Sequence, residues 1–154
     1  MEVRVRYAKV GKVRFLSHRD LARILERAVR RAGLPVAYSQ GYSPRARLHF
    51  GLALSTGYES LAEYLDIDLV ELDEGGTASA LPAAEEVADL LQPCLPPGVV
   101  TTASTSIEAG TPALQDAVTS CTWEFLLDPA DHDRATANAA RLLAAEELPI
   151  DLVR

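Results

Sequence analysis

His18 is the side chain in this sequence best placed to do chemistry, because of the run that holds it, Phe15-Leu16-Ser17-His18-Arg19-Asp20. An imidazole titrates near neutrality and can act as an acid, a base or an anion ligand. Ser17 stands where an N-cap belongs, and Asp20 three residues later completes an approximate capping box. A helix start offers free N–H donors and positive potential, which suit a phosphate or a carboxylate. A second histidine, His49, follows Arg45 and Arg47. On an extended segment His49 shares a face with Arg47. These cations adjoin Tyr42-Ser43-Pro44, and Tyr38 and Tyr42 supply rings on which unpaired bases stack. Behind His18 come Arg19, Arg23, Arg27 and Arg30, with Arg31 beside them. Their spacing stacks the guanidinium groups along about three helical turns, and Glu26 is the acid placed to offset them.

Each feature also has a plainer reading. Ser17 and Asp20 serve as caps alone, the tyrosines pack halfway into the surface, and the arginines pair with acids elsewhere in the fold. The charge distribution bears on that last point. Residues 1–50 carry twelve Lys or Arg against Glu2, Asp20 and Glu26, while residues 51–154 carry three basic residues against nineteen acids. The net charge of −7 therefore conceals a strongly basic first third, and local potential decides what docks there.

The elements that position these residues follow from periodicity. Val3, Val5 and Tyr7 alternate with polar neighbours as in a half-buried strand. Gly11 turns the chain, and Val13–Leu16 reads as a second extended piece. Leu21, Ile24, Leu25, Ala28, Val29 and Ala32 form one apolar helical stripe, stopped by Gly33 and Pro35. Residues 38–47 form a polar loop. Leu48, Phe50, Leu52 and Leu54 mark a strand, and Leu65, Ile67 and Leu69 mark another, paired with it as a hairpin. Asp73–Gly76 is a loop. A helix starts at Pro82 and ends before Pro93, and a strand covers Val99–Ile107. This order is the split βαβ, ferredoxin-like pattern, so the chain is predicted to be α+β, with a first unit over residues 1–108. A second α/β unit over residues 109–154, incomplete as written, is predicted to pack on the first. It holds a short helix through Leu114 and Val118, a strand at Cys121–Leu127, a helix at Asp131–Glu147 and a new strand after Pro149.

Several classes are excluded. No apolar run approaches the roughly eighteen residues of a membrane span, and the charged N-terminus is not a secretory signal, so a cytoplasmic protein is expected. His18, His49 and His132 lack ligand spacing and neither Cys94 nor Cys121 has a C-x-x-C partner, so no metal is expected. Asp66 and Asp68 share a strand face that could take a hard cation, but exposed strand acids are ordinarily just solvated. No phosphate-binding loop, dinucleotide fingerprint or nucleophile elbow occurs.

The segments Arg6-Tyr7-Ala8-Lys9-Val10-Gly11, Phe15-Leu16-Ser17-His18-Arg19-Asp20-Leu21, Arg27-Ala28-Val29-Arg30-Arg31-Ala32-Gly33-Leu34-Pro35 and Tyr38-Ser39-Gln40-Gly41-Tyr42-Ser43-Pro44 occur in that order. This set resembles the radical-SAM-linked family of unknown function, in which a small domain either follows a B12-binding radical S-adenosylmethionine domain or stands alone. The resemblance covers about residues 4–69 and thins to a general pattern over 112–148. It implies an accessory domain with a radical-SAM protein as partner. The radical enzyme's cluster-binding cysteine triplet is absent, so no cofactor is expected in this chain. The ferredoxin-like order is also similar, at the level of fold alone, to RNA-binding proteins of the CRISPR repeat-processing type.

The leading expectation is a non-catalytic accessory module that docks RNA or another anionic ligand for that partner. Arg4, Arg6, Lys9, Lys12, Arg14, Arg19, Arg23, Arg30, Arg45 and Arg47 would meet phosphates, around a centre formed by Ser17, His18, Tyr42 and His49. Two alternatives stand beside it. One is a small RNA- or nucleotide-acting enzyme using His18 and His49 as an acid–base pair. The other is a protein–protein subunit of a radical-SAM assembly whose arginine helix meets an acidic surface.

Overall fold

A computed structural model describes residues 1–71 and 80–145; the Asp73–Gly76 loop and the strand expected after Pro149 lie outside them. The chain divides by contact into Met1–Thr119 and Ser120–Arg154. Leu114 is buried against Gly51 and belongs to the first unit.

The first unit is α+β and is built on a four-stranded sheet. Its strands are β1 (Glu2–Lys9), β2 (Leu48–Phe50), β3 (Ser60–Asp68) and β4 (Val99–Ser106). They lie in the order β2-β3-β1-β4, every neighbouring pair antiparallel. With one helix after β1 and another before β4, this is the split βαβ, ferredoxin-like arrangement. The two central strands set a two-faced sheet. Val3 stands opposite Ile67 and Val5 opposite Leu65, all four buried, while on the other face Arg4 stands opposite Asp66 and Arg6 opposite Tyr64.

Helix α1 (His18–Arg31) covers the apolar face. Its start follows from Ser17, whose hydroxyl accepts from the Asp20 N–H at 3.2 Å and donates to the Asp20 carboxylate at 2.7 Å. Leu21, Leu25, Ala28 and Val29 point into the core with Val3, Val5, Leu65 and Ile67. The helix ends at Gly33, whose positive φ of 69° turns the chain back and lets Leu34 donate to the Val29 carbonyl, as a glycine stop requires. A 3-10 turn at Ala84–Glu86, helix α2 (Val87–Leu91) and a second 3-10 turn at Gln92–Cys94 cover the β1–β4 half of that face, with Val87, Leu91 and Val99 fully buried.

Two predicted extensions differ. Val13–Leu16 is not extended: Gly11–Phe15 forms a 3-10 turn, because Gly11 reverses the chain at φ +69° and Val13 folds inward to be buried. The strand predicted to run to Leu54 keeps ladder pairing only over Leu48–Phe50. After Gly51 the chain leaves β3 and is tied elsewhere, where the Gly57 N–H donates to the Arg14 carbonyl at 2.8 Å. Helix α3 (Leu114–Ala117) is a single turn.

In the second unit, Asp128 caps a 3-10 turn at Pro129–Asp131 that leads into α4 (His132–Ala144). Cys121–Leu127 carries the predicted alternation but no ladder. Among the described residues no helix is long and apolar enough to cross a membrane.

Two features of the first unit make quantitative demands. Gly98, at φ +96°, accepts from the Val10 N–H at 2.8 Å, and a Cβ there would stand 2.4 Å from the Val10 carbonyl oxygen and 2.9 Å from a Val13 methyl. Gly98→Ala is expected to cost at least about 2 kcal/mol, read as a lowered urea midpoint; an unchanged midpoint contradicts the packing described. On the far face, Arg4 donates through Nε and an Nη to both Asp66 oxygens at 2.8 and 2.9 Å. The side chains are 20% and 6% exposed, and this hydrogen bond raises the Arg4 pKa above its ordinary value. Asp66→Leu strands the guanidinium and is expected to cost about 3 kcal/mol, whereas Arg4→Met with Asp66→Leu recovers most of it. Equal losses for the single and double variants would refute that account.

Candidate functional site

The sheet distributes the early cations between two opposite sides. On the far face Arg4 is held by Asp66, Arg47 by Asp68 at 3.2 Å, and His49 lies 3.7 Å from the same Asp68 carboxylate. Asp66 and Asp68 thus serve as counter-ions to this face, and among the described residues no group of three or more His, Cys, Asp or Glu could hold a metal. Arg6 is exposed beside them. Elsewhere Arg14 pairs with Glu59 at 3.2 Å and lies over the Phe15 ring. Lys12, Tyr42 and Arg45 are exposed in their turn and loop, with Arg45 held through its N–H to the Ser39 hydroxyl.

On the other side stands the outer face of α1. Arg19, Arg23, Arg27, Arg30 and Arg31 are all exposed there. Arg23 lies 3.6 Å from Asp20; among the described residues no carboxylate comes within 4.0 Å of the other four guanidinium groups. Beside Arg27 and Arg31, Ile24, Cys94, Leu95 and Pro96 line an open groove of about 250 Å³. The structure therefore gathers five arginines from one helix and does not join them to Arg4, Arg6, Arg47 and His49, which leave the opposite face of the sheet.

The two candidate histidines are likewise parted. His18 meets the Phe50 ring edge-on, with centroids 5.2 Å apart, and Phe50 lies on the α1 side of β2. Its neighbour His49 points the other way, as successive strand residues must. A pair of imidazoles separated by a sheet cannot hand a proton to and from one reacting group, so the acid–base reading of His18 with His49 has no shared site.

Lys9 is the most misplaced of the predicted phosphate contacts. It is 1% exposed and its ammonium donates to the Leu16 carbonyl at 3.1 Å. It lines a narrow cleft with Tyr7, His18, Leu21, Phe50 and Glu63. Tyr7 is 3% exposed; burial, with the Glu63 charge adding to it, pushes its phenol well above the usual 10, so it remains an O–H donor. Sequence reasoning missed Tyr7 and Glu63, although the signal was present. Odd positions 3, 5, 7 and 9 share one face of β1, so a lysine there continues the apolar side, and Glu63 continues the side of Leu65 and Ile67.

No curated protein and no solved structure is significantly similar to the chain. A family model spans almost all of it: matched over residues 2–153, the chain belongs to a family of uncharacterised proteins conserved in bacteria, DUF2344.

Proposed function

We propose that this chain is a non-catalytic module that docks single-stranded RNA along the outer face of α1 and presents it to a radical-SAM partner. The observation that carries the reading is the row of five exposed guanidinium groups, of which Arg23 alone has a carboxylate, Asp20 of its own helix, within 4.0 Å among the described residues. Like charges four residues apart destabilise a helix by a few tenths of a kcal/mol per pair. Arg30 and Arg31 lie in the last turn, where the helix dipole welcomes them; Arg19 lies in the first turn, at the positive end, where it does not. A row kept against its own repulsion is best accounted for by an external polyanion. From Arg19 to Arg30 the row rises roughly 16 Å, the length of about five stacked nucleotides.

The groove beside Arg27 and Arg31 favours single strands over duplex. Its apolar floor can take an unstacked base while the guanidinium groups hold flanking phosphates or stack on the ring. On the far face Arg4 is spent on Asp66, and Arg47 and His49 face Asp68; these are left out of this contact set. The radical-SAM partner rests on the resemblance carried by Phe15–Leu21, Arg27–Pro35 and Tyr38–Pro44.

A mobility-shift titration of the full chain with single-stranded RNA tests this. Binding is expected at low salt, with log K falling against log salt at a slope of about −3.5 for five arginines on a single strand. Arg19→Glu with Arg23→Glu and Arg30→Glu is expected to weaken binding by at least about tenfold. Absence of any shift with tRNA, ribosomal RNA fragments and single strands rejects the reading, as does binding that ignores the triple reversal. A second readout uses the two cysteines. Cys94 lines the groove and Cys121 is exposed in the second unit. Bound RNA is expected to slow alkylation of Cys94 several-fold and to leave Cys121 unchanged. Equal rates for Cys94 with and without RNA place the strand elsewhere.

A further inference from the structure

Arg27 and Arg31 stand about one turn apart on α1, and Cys94, Leu95 and Pro96 face them where the second 3-10 turn ends. With Ile24 these residues line the open groove. Its volume of about 250 Å³ lies below the roughly 300 Å³ at which pockets for drug-sized ligands begin, so it has room for one ring system rather than for a stack. Ile24, Leu95 and Pro96 give it apolar walls, and Cys94 adds a thiol, a weak donor and a weak acceptor.

The strong polar side chains of this lining are donors alone. A guanidinium has five N–H donors and no acceptor, and among the described residues no carboxylate lies within 4.0 Å of Arg27 or Arg31. The backbone beside them is partly engaged: the Leu95 N–H donates to the Gln92 carbonyl at 3.2 Å, and the Pro96 carbonyl accepts from the Val99 N–H at 3.1 Å. Pro96 has no N–H of its own. A ring seated here meets forked donors and hydrocarbon, so the ligand it suits presents two adjacent acceptors, with no donor between or beside them, on the edge that faces the arginines.

The four RNA bases differ in this respect. Guanine sets O6 beside N7, two acceptors that match a guanidinium fork, whereas adenine sets the N6 amino donor beside N7. Uracil parts its two carbonyl oxygens with the N3–H donor, and cytosine sets its N4 amino donor beside N3. We infer that the groove reads guanine, one guanidinium of the Arg27–Arg31 pair donating to O6 and N7 of a guanine base in the bound single strand. The assignment rests on the RNA reading of α1 and names the base that favours binding there. It also divides the arginine row by task. Arg19, Arg23 and Arg30 do not line the groove and meet phosphates, which position a strand; the groove pair meets a base edge, which specifies it.

The test measures the full chain's affinity for oligouridylate strands of one length that carry a single central guanosine, adenosine, inosine or 7-deazaguanosine. The guanosine strand is expected to bind about tenfold more tightly than the adenosine strand, the order by which one bidentate contact of this kind discriminates. Inosine keeps O6 and N7 and is expected to match guanosine. The 7-deaza base keeps the stacking face but lacks N7, and is expected to fall close to adenosine. Arg27→Lys with Arg31→Lys keeps both charges but not the fork, and is expected to bring the guanosine-to-adenosine ratio close to one. Arg19→Glu with Arg23→Glu is expected to weaken binding of every strand by a common factor and to leave that ratio in place. The guanosine strand is also expected to protect Cys94 from alkylation more than the adenosine strand does. Equal affinities for the guanosine and adenosine strands overturn the inference while the RNA reading of α1 stands, and so does a preference that survives loss of N7 or the double lysine variant. No binding of any strand rejects both.

Discussion

Neighbouring residues on a strand face opposite sides of the sheet, and residues two apart face the same side. In this fold that parity, together with one helical layer covering one side only, decides what each charged side chain can reach. Arg4, Arg6 and His49 are sent to the far side, where Asp66 and Asp68 arrive on β3 to meet Arg4 and His49. Tyr7, Lys9 and Glu63 are sent to the covered side, where water is scarce and the acceptors are few. The arginines of α1 belong to neither group, because the stripe Leu21, Leu25, Ala28 and Val29 fixes the rotation of the helix and leaves them outward. The electrostatic character of each surface is therefore a consequence of backbone geometry, and the net charge of −7 says little about any one of them.

The same constraint explains how far the sequence could be read. Helix α1 was legible because its cap, its apolar period and its glycine stop all agree. β1 and β3 were legible because alternation in a half-buried strand is a direct image of the sheet. The turn at Gly11–Phe15 was not, since Val13 is inward and extended-looking in a five-residue window whose conformation Gly11 sets. Leu52 and Leu54 alternate as a strand would, but alternation reports which side chains are apolar, not whether a neighbouring backbone is there to receive the hydrogen bonds. Cys121–Leu127 repeats that lesson.

The candidate site was half legible for a related reason. Counting cations in residues 1–50 treats them as one population, whereas the acids that neutralise several of them, Glu59, Asp66 and Asp68, come later in the chain. Long-range pairing of that kind has no local signature. Lys9 and Glu63 did have one, as polar residues at apolar parity, and such positions carry information because burying a charge is costly unless something repays it. A buried lysine with a single carbonyl acceptor is hard to account for as a packing residue, since a methionine would fill the space without the desolvation.

One helix therefore supports two chemically different surfaces at once. The Ser17–Asp20 cap that starts α1 also fixes where His18 stands beside Tyr7, Lys9 and Phe50, and the buried stripe that anchors the helix turns its arginines outward. Because both surfaces are carried by the same anchored element, no hinge is needed to align them; the alignment is set when α1 packs on the sheet.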